Sequence, residues 1–242
     1  MEYIAHRGAS LYAPENTMDA FILAHSMGAR SIECDVQLTA DQVPVIVHDT
    51  TFNRTTNGVG KVRKTLYSNI QALDAGSWFA PEYSGAHVPL LSTLLQWQHQ
   101  TGVYLHLEIK GLPPQQVAIG VDRIMEQVHR YARIDRVRIL SFQVAVLARL
   151  QAIGNTLPTA LEITYCRPKS IVVAEGLGCD YLNTSYRYLR WCRIAEIQRA
   201  GMKIGVFTVN DLRVLKRLQA AGVDAVFTDD PQLMSSDFSG VA

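Results

Sequence analysis

Eight short segments with an apolar period of two recur along this chain with longer ones of helical period between them, a rhythm that few architectures accept. The strand-like segments fall at 3–5, 31–36, 103–111, 137–142, 158–163, 180–185, 203–210 and 224–229, with 44–47 folded into the second unit. Helical spacing predicts helices over 14–28, 90–102, 114–132, 143–153, 168–177, 189–200 and 211–220, the first started by Pro14 and the second ended by Gly102. Strand and helix in alternation build a parallel sheet with helical crossovers, and eight such units predict an α/β fold, the closed (β/α)8 TIM barrel. The alternative is an open doubly wound sheet. No GxGxxG follows the first strand, which counts against a dinucleotide-binding version of it.

Between Thr50 and Val88 the spacing breaks down, and TTFNRTTNGVGKV and LDAGSWFAPEYSGAHVP are rich in turn residues. A stretch of that length reads as a functional insertion rather than a plain loop. The chain is therefore expected to be one catalytic domain, 1–242, with a small subdomain, 50–88, placed after the second strand and capping one side of the site. Trp78, Phe79 and Tyr83 are either a lid over substrate or the apolar core of that subdomain.

In a barrel of this kind the chemistry sits at the C-terminal ends of the strands. Those ends read His6-Arg7, Glu33-Asp35, His48-Asp49, Glu108-Lys110, Ser141-Phe142, Glu162, Asn183, Phe207 and Asp229. In SIECDV, Ile32, Cys34 and Val36 alternate with Ser31, Glu33 and Asp35, so a period of two aims both carboxylates at one place. Like charges that close raise one another's pKa unless something positive lies between them. LHLEIK repeats the device with Glu108 and Lys110.

Glu33, Asp35 and Glu108 together offer oxygen donors suited to one hard divalent cation, Mg²⁺ or Ca²⁺. Zinc would recruit more His or Cys. Arg7 and Lys110 add the positive charge that holds a phosphate and stabilises its transition state. His6 and His48, on different strands, can flank that phosphate, one taking a proton from the nucleophile and the other giving one to the leaving oxygen. His106 shares the Glu108 face but lies one layer deeper, where an interior hydrogen-bonded imidazole is expected rather than a fourth ligand. His25, His87, His99 and His129 fall on helices or in the insertion and read as surface or structural. Phe142 and Phe207 stand at strand ends, as barrel-top packing or as an apolar wall contacting substrate.

A formal net charge of +1 gives no electrostatic reason to expect nucleic acid or an anionic membrane as partner. No apolar run reaches the ~18 residues of a membrane span, and the opening MEYIAHRGAS has neither a basic nor an apolar leader region. Cys34, Cys166, Cys179 and Cys192 are widely spaced, without a CxxC pattern, and read as free core thiols. The expectation is a cytoplasmic protein acting on a small molecule, with self-association left open.

The chain resembles the glycerophosphodiester phosphodiesterases. The likeness is carried in order by HRG at 6–8, APENT at 13–17, ECDV at 33–36, VHD at 47–49, RTTNGVG from Arg54, LEIK at 107–110, SF at Ser141, FTVN at 207–210, and Gly222-Val223-Asp224 with Thr228-Asp229. It implies a TIM barrel with a small insertion after the second strand, and hydrolysis of a glycerophosphodiester to sn-glycerol 3-phosphate and an alcohol. By position it implies Glu33, Asp35 and Glu108 as metal ligands, His6 and His48 as the acid–base pair, and Arg7 and Lys110 as phosphate contacts. Two departures stand out: Phe207 replaces a frequent Trp, and VPLLSTLL replaces a common pattern carrying Thr and Glu. The rival readings are a lysophospholipase D-type phosphodiesterase on the same barrel and a non-catalytic phosphate-ligand binding protein.

Overall fold

Strand β2, Ser31–Leu38, is buried along almost its whole length because both of its faces are covered. Ile32, Cys34 and Val36 pack outward in a core shared with helix residues such as Phe21, Leu94 and Val121, while Glu33 and Asp35 take the alternate face. The computed structural model, which describes residues 1–190 and 192–235, places that alternate face inside a closed barrel.

The barrel strands are β1 (Glu2–Ala5), β2, β4 (Tyr104–Ile109), β5 (Val137–Ser141), β6 (Thr159–Ile163), β7 (Tyr181–Ser185), β8 (Lys203–Phe207) and β9 (Ala225–Thr228), each parallel to its neighbours. Pairing of Ala5 with Ile32 closes the ring. Helices α1 (Met18–Ser26), α3 (Leu91–Thr101), α4 (Val117–Tyr131), α5 (Val144–Ala152), α6 (Pro168–Gly176), α7 (Cys192–Arg199) and α8 (Leu212–Ala220) follow successive strands, with the short α2 (Tyr67–Ile70) in the insertion. This is the expected (β/α)8 barrel. Gly102 ends α3 in the left-handed region, as its position predicts.

Two local expectations need correction. Pro14 lies ahead of α1, and the helix is started by Thr17, whose hydroxyl accepts the Ala20 N–H. Segment 44–47 supplies β3 (Pro44–Ile46), which runs antiparallel to β2 rather than joining the parallel ring. The eight residues of β2 overshoot the barrel rim, and the hairpin through β3 turns back, so that Val47 N–H donates to Asp35 O. His48 is thereby brought beside Asp35 by a return stroke.

The insertion has its own apolar cluster of Val45, Val47, Phe52, Val62, Ile70, Ala75 and Val88. Trp78, Phe79 and Tyr83 belong neither to it nor to the site's lining; they stack edge to face on one another, and the Tyr83 hydroxyl donates to Tyr12 O, docking the insertion on the loop after β1. Cys34, Cys166 and Cys179 are buried free thiols, while the Cys192 side chain lies outside the described residues.

Inward positions are apolar at mid-barrel, where Ile4, Leu140, Ala160, Ala225 and Phe227 meet. Gly205 is required there, because a Cβ would collide with the Asn183 amide across the β7–β8 seam. Toward the strand starts the interior is polar. Glu2 accepts hydrogen bonds from Ser31 Oγ at 2.8 Å and Arg138 Nη1 at 3.3 Å and meets His106 Nε2 at 3.0 Å, and the Arg138 guanidinium lies 3.7 Å over the Tyr181 ring. Burial alone would raise the Glu2 carboxyl, but the His106 hydrogen bond and the Arg138 charge outweigh it and hold it well below the usual carboxylate range. His106 is thus the interior imidazole its depth predicts. Glu2→Ala strands Arg138 without its carboxylate and is expected to destabilise by about 3 kcal/mol, a lower melting temperature with kcat unchanged at 25 °C. Loss of kcat in the folded variant would contradict a purely structural role.

Candidate active site

At the opposite end, the loop after β1 turns through Arg7 and Gly8, both at positive φ of 57° and 85°. Gly8 has no alternative, since a Cβ would sit 2.6 Å from the Ala20 carbonyl carbon. The turn points the Arg7 N–H at Glu33 Oε2, 3.0 Å away, and its guanidinium between Glu15 Oε1 at 2.8 Å and Asp35 Oδ2 at 3.2 Å. Asn16, also at positive φ, donates to Asp35 Oδ2 at 2.7 Å and accepts the Asp35 N–H. Lys110 reaches Asp35 Oδ1 at 3.2 Å and Glu108 Oε1 at 2.8 Å.

Arg7, Glu33, Glu108 and Lys110 of these groups line a pocket of about 160 Å³. Of the residues singled out from sequence, His6, Arg7, Glu33, His48, Glu108, Lys110, Phe142 and Phe207 all border it, with Glu162, read at a strand end without a role, and with Thr208 and Phe227. Asp35 lies beneath, 1% exposed. Phe142 and Phe207 meet edge to face with centroids 5.9 Å apart, and Phe142 remains 46% exposed, so together they form a wall rather than a packed plug.

Oxygens of Glu33, Asp35 and Glu108 lie within 4.8 Å of one another, an acidic cluster able to hold a metal ion. The donor set fits a hard divalent cation. Asp35 Oδ1 is buried and accepts no hydrogen bond of good geometry, although Lys110 Nζ is near. Burial and the Asp35 charge push Glu33 well above the usual carboxylate range despite Arg7; burial with the charges of Glu162 and Asp35 does the same to Glu108. Burial also raises Asp35, but Lys110 and Arg7 overcome it and hold it low. Glu162, a fourth inward carboxyl, is pushed up to about 7, chiefly by burial.

Each histidine is oriented by an aspartate. His6 Nδ1 lies 2.7 Å from Asp229 Oδ1, and His48 Nδ1 lies 2.7 Å from Asp49 Oδ1. A carboxylate only accepts, so each Nδ1 carries a proton and each Nε2 is left for the pocket. Burial shifts His48 below the ordinary imidazole value, Arg7 and Lys110 adding to the effect. Arg54 grips Asp49 through Nε and Nη2 and reaches Glu15 with Nη1 and Nη2, so one guanidinium joins the two flanks. Asn210 holds Asp229 through its amide nitrogen at 2.6 Å and accepts the Asp229 N–H.

Sequence reasoning assigned no role to Glu15, Asn16, Asp49, Arg54, Asn210 or Asp229, although all stand inside the segments it singled out. Asp49 carries a local signal by adjacency to His48, and Asp229 by its place at the end of the last strand.

Burial would raise Asp229, but hydrogen bonds from His6, Asn210 and Ser10 pull it down to about 2. Because the folded value lies below the unfolded one of about 4, the carboxylate stabilises the fold fully above that pH and the contribution is lost as pH falls through about 2. Asp229→Asn is expected to lower kcat by roughly ten- to a hundredfold by loosening the His6 tautomer. The gap in melting temperature between variant and wild type should close as pH is taken from about 4 towards 2; a constant gap would contradict this account.

A closed barrel whose rim gathers a carboxylate trio, two cations and two aspartate-held histidines is the equipment of a phosphodiester hydrolase. The model of the glycerophosphoryl diester phosphodiesterase family matches residues 6–233. The protein YhdW of Bacillus subtilis is 38% identical over 98% of each chain, and a glycerophosphodiester phosphodiesterase of Caldanaerobacter subterraneus is 32% identical over 96% of this chain and 95% of its own. Among solved structures, an Oleispira antarctica phosphodiesterase in complex with the product sn-glycerol-3-phosphate superposes with a TM-score of 0.94 at 31% identity, covering 99% of this chain and 97% of that one. The chain belongs to the glycerophosphoryl diester phosphodiesterase family and is an enzyme of that activity. No helix among the described residues is long and apolar enough to cross a membrane.

Proposed function

We propose that the enzyme hydrolyses glycerophosphodiesters to sn-glycerol 3-phosphate and an alcohol, requires one divalent cation, Mg²⁺ or Ca²⁺, and uses His6 and His48 as its acid–base pair. The observation that carries this reading is the matched pair of His–Asp couples whose histidines border the same pocket as Glu33 and Glu108 of the carboxylate trio. Glu33, Asp35 and Glu108 would hold the cation, which when bound neutralises phosphate charge and activates an oxygen. Arg7 and Lys110 hold the phosphate, already fixed in place by their carboxylate neighbours. One Nε2 takes the proton of the attacking oxygen, from water or from the glycerol 2-hydroxyl, while the other protonates the departing alkoxide. Phe142 and Phe207 give the glycerol carbons an apolar face. Residues 1–242 act as one catalytic unit with 50–88 as its insertion, residues 236–242 lying outside those described. The buried free thiols suit a reducing, cytoplasmic setting.

The test is release of glycerol 3-phosphate from glycerophosphocholine and glycerophosphoethanolamine by purified protein with Mg²⁺, with Ca²⁺ and with EDTA. Metal-dependent release is the expected result. Choline release from lysophosphatidylcholine alone would favour the lysophospholipase D reading, and turnover of neither substrate type by folded, metal-loaded protein would favour a phosphate-ligand binding protein.

A further inference from the structure

The catalytic pocket, about 160 Å³, is small for a whole glycerophosphodiester, and across Lys110 it adjoins a groove of about 510 Å³. The floor of the groove is Gln37 and Leu38, where β2 passes the barrel rim. Thr50, Lys61 and Arg63 form one wall, and the 111–116 loop that follows Lys110 forms the other.

Both walls are pinned. The Phe52 N–H donates to Gly60 O and the Val62 N–H to Thr50 O, Thr51 pairs with Lys61 in an antiparallel bridge, and buried Val62 anchors the turn. Across the groove, the Leu112 N–H donates to Gln143 Oε1 and Leu112 O accepts from Gln143 Nε2. Gln37 Nε2 donates to the carbonyls of Val47, His48 and Asp49, tying the floor to the His48 segment. Lys61 and Arg63 therefore ride on backbone fastened to Thr50, close along the chain to a residue that borders the reacting centre.

Charge separates the two spaces. Arg7 and Lys110 in the pocket are compensated by Glu15, Asp35 and Glu108. No carboxylate lines the groove, and neither Lys61 nor Arg63 has a carboxylate partner among the described residues. Uncompensated cations on fixed backbone beside a cleft form a site for an anion.

On the reading that the glycerophosphate half fills the catalytic pocket, we propose that this groove takes the leaving alcohol and selects glycerophosphodiesters whose alcohol carries a further phosphate. The bond broken is unchanged: water or the glycerol 2-hydroxyl replaces the alcohol on phosphorus, and the alcohol leaves with a proton.

The experiment compares sn-glycero-3-phosphoinositol with its 4-phosphate, two diesters that differ by one phosphate, using wild type, Lys61→Glu/Arg63→Glu and the milder Lys61→Gln/Arg63→Gln. In wild type at low salt kcat/KM is expected to favour the 4-phosphate by roughly tenfold, mostly through KM, and the preference should shrink in about 0.5 M salt. The double glutamine variant should lose most of it and the double glutamate variant should lose or reverse it, with kcat/KM for the unphosphorylated diester kept within about twofold. Equal kcat/KM for the two substrates in wild type, or a preference that survives both double variants, overturns the proposal. Turnover of neither inositol diester nor of glycerophosphocholine would instead overturn the parent reading of the pocket.

Discussion

His48→Ala is expected to lower kcat by about 10²–10⁴ while KM for glycerophosphocholine changes little. The imidazole stands at the pocket edge with its Nδ1 committed to Asp49, which leaves Nε2 for the proton transfer proposed for it. Its removal should leave the fold intact, because Asp49 keeps its hydrogen bonds from Arg54 and the Gln37 side chain still ties down the segment. The melting temperature should therefore stay within a few degrees of wild type. His6→Ala is expected to cost a similar factor, and the double variant far less than the product of the two, since on the proposed mechanism the histidines act as one acid–base unit. Losses in KM with kcat preserved would move both residues to substrate binding.

The second large effect concerns the carboxylate trio. Glu33→Gln keeps an acceptor for the Arg7 N–H and removes one of three buried carboxyl groups. Wild type titrated with Mg²⁺ or Ca²⁺ to about 100 times Kd should gain about 2.7 kcal/mol, or about 5–10 °C in melting temperature. In the variant that gain should be nearly abolished and kcat reduced by at least about 10². The ion-free variant should melt at or above ion-free wild type, because burial and the Asp35 charge oppose ionised Glu33 there. A variant that still binds the ion and turns over would remove Glu33 from the ligand set. A wild type that gains no stability from either ion would remove the trio as a metal site.

Much of this site could be read before the fold was known, for a reason that lies in the strand itself. A period of two makes Glu33 and Asp35 share a face whatever surrounds them, and the same holds for Glu108 with Lys110. Alternation of strand and helix then puts those faces inside a barrel, at the end where its chemistry sits. The histidines followed as strand-end residues, and His106 was separable from them by depth alone. The helix starts were less legible: Pro14 suits a first turn, yet Thr17 offers a side-chain acceptor to Ala20 N–H and so sets the start.

Pairings between distant parts of the chain were not legible. Asp229 reaches His6 across a sequence separation of 223, a contact that exists only because β9 closes the ring against β1. Glu15, Arg54 and Asn16 gain their roles from loops that meet above the barrel rim, where no period constrains direction. The basic groove arises in the same way, between the insertion and the loop after β4.

Local periodicity, then, determined the barrel, the inward carboxylates and the residues at the strand ends, because backbone geometry orients neighbours along a strand without reference to anything else. Tertiary closure alone decided which aspartate serves which histidine, which cations are compensated and which are left open, because those depend on distances between segments that the chain's order does not encode.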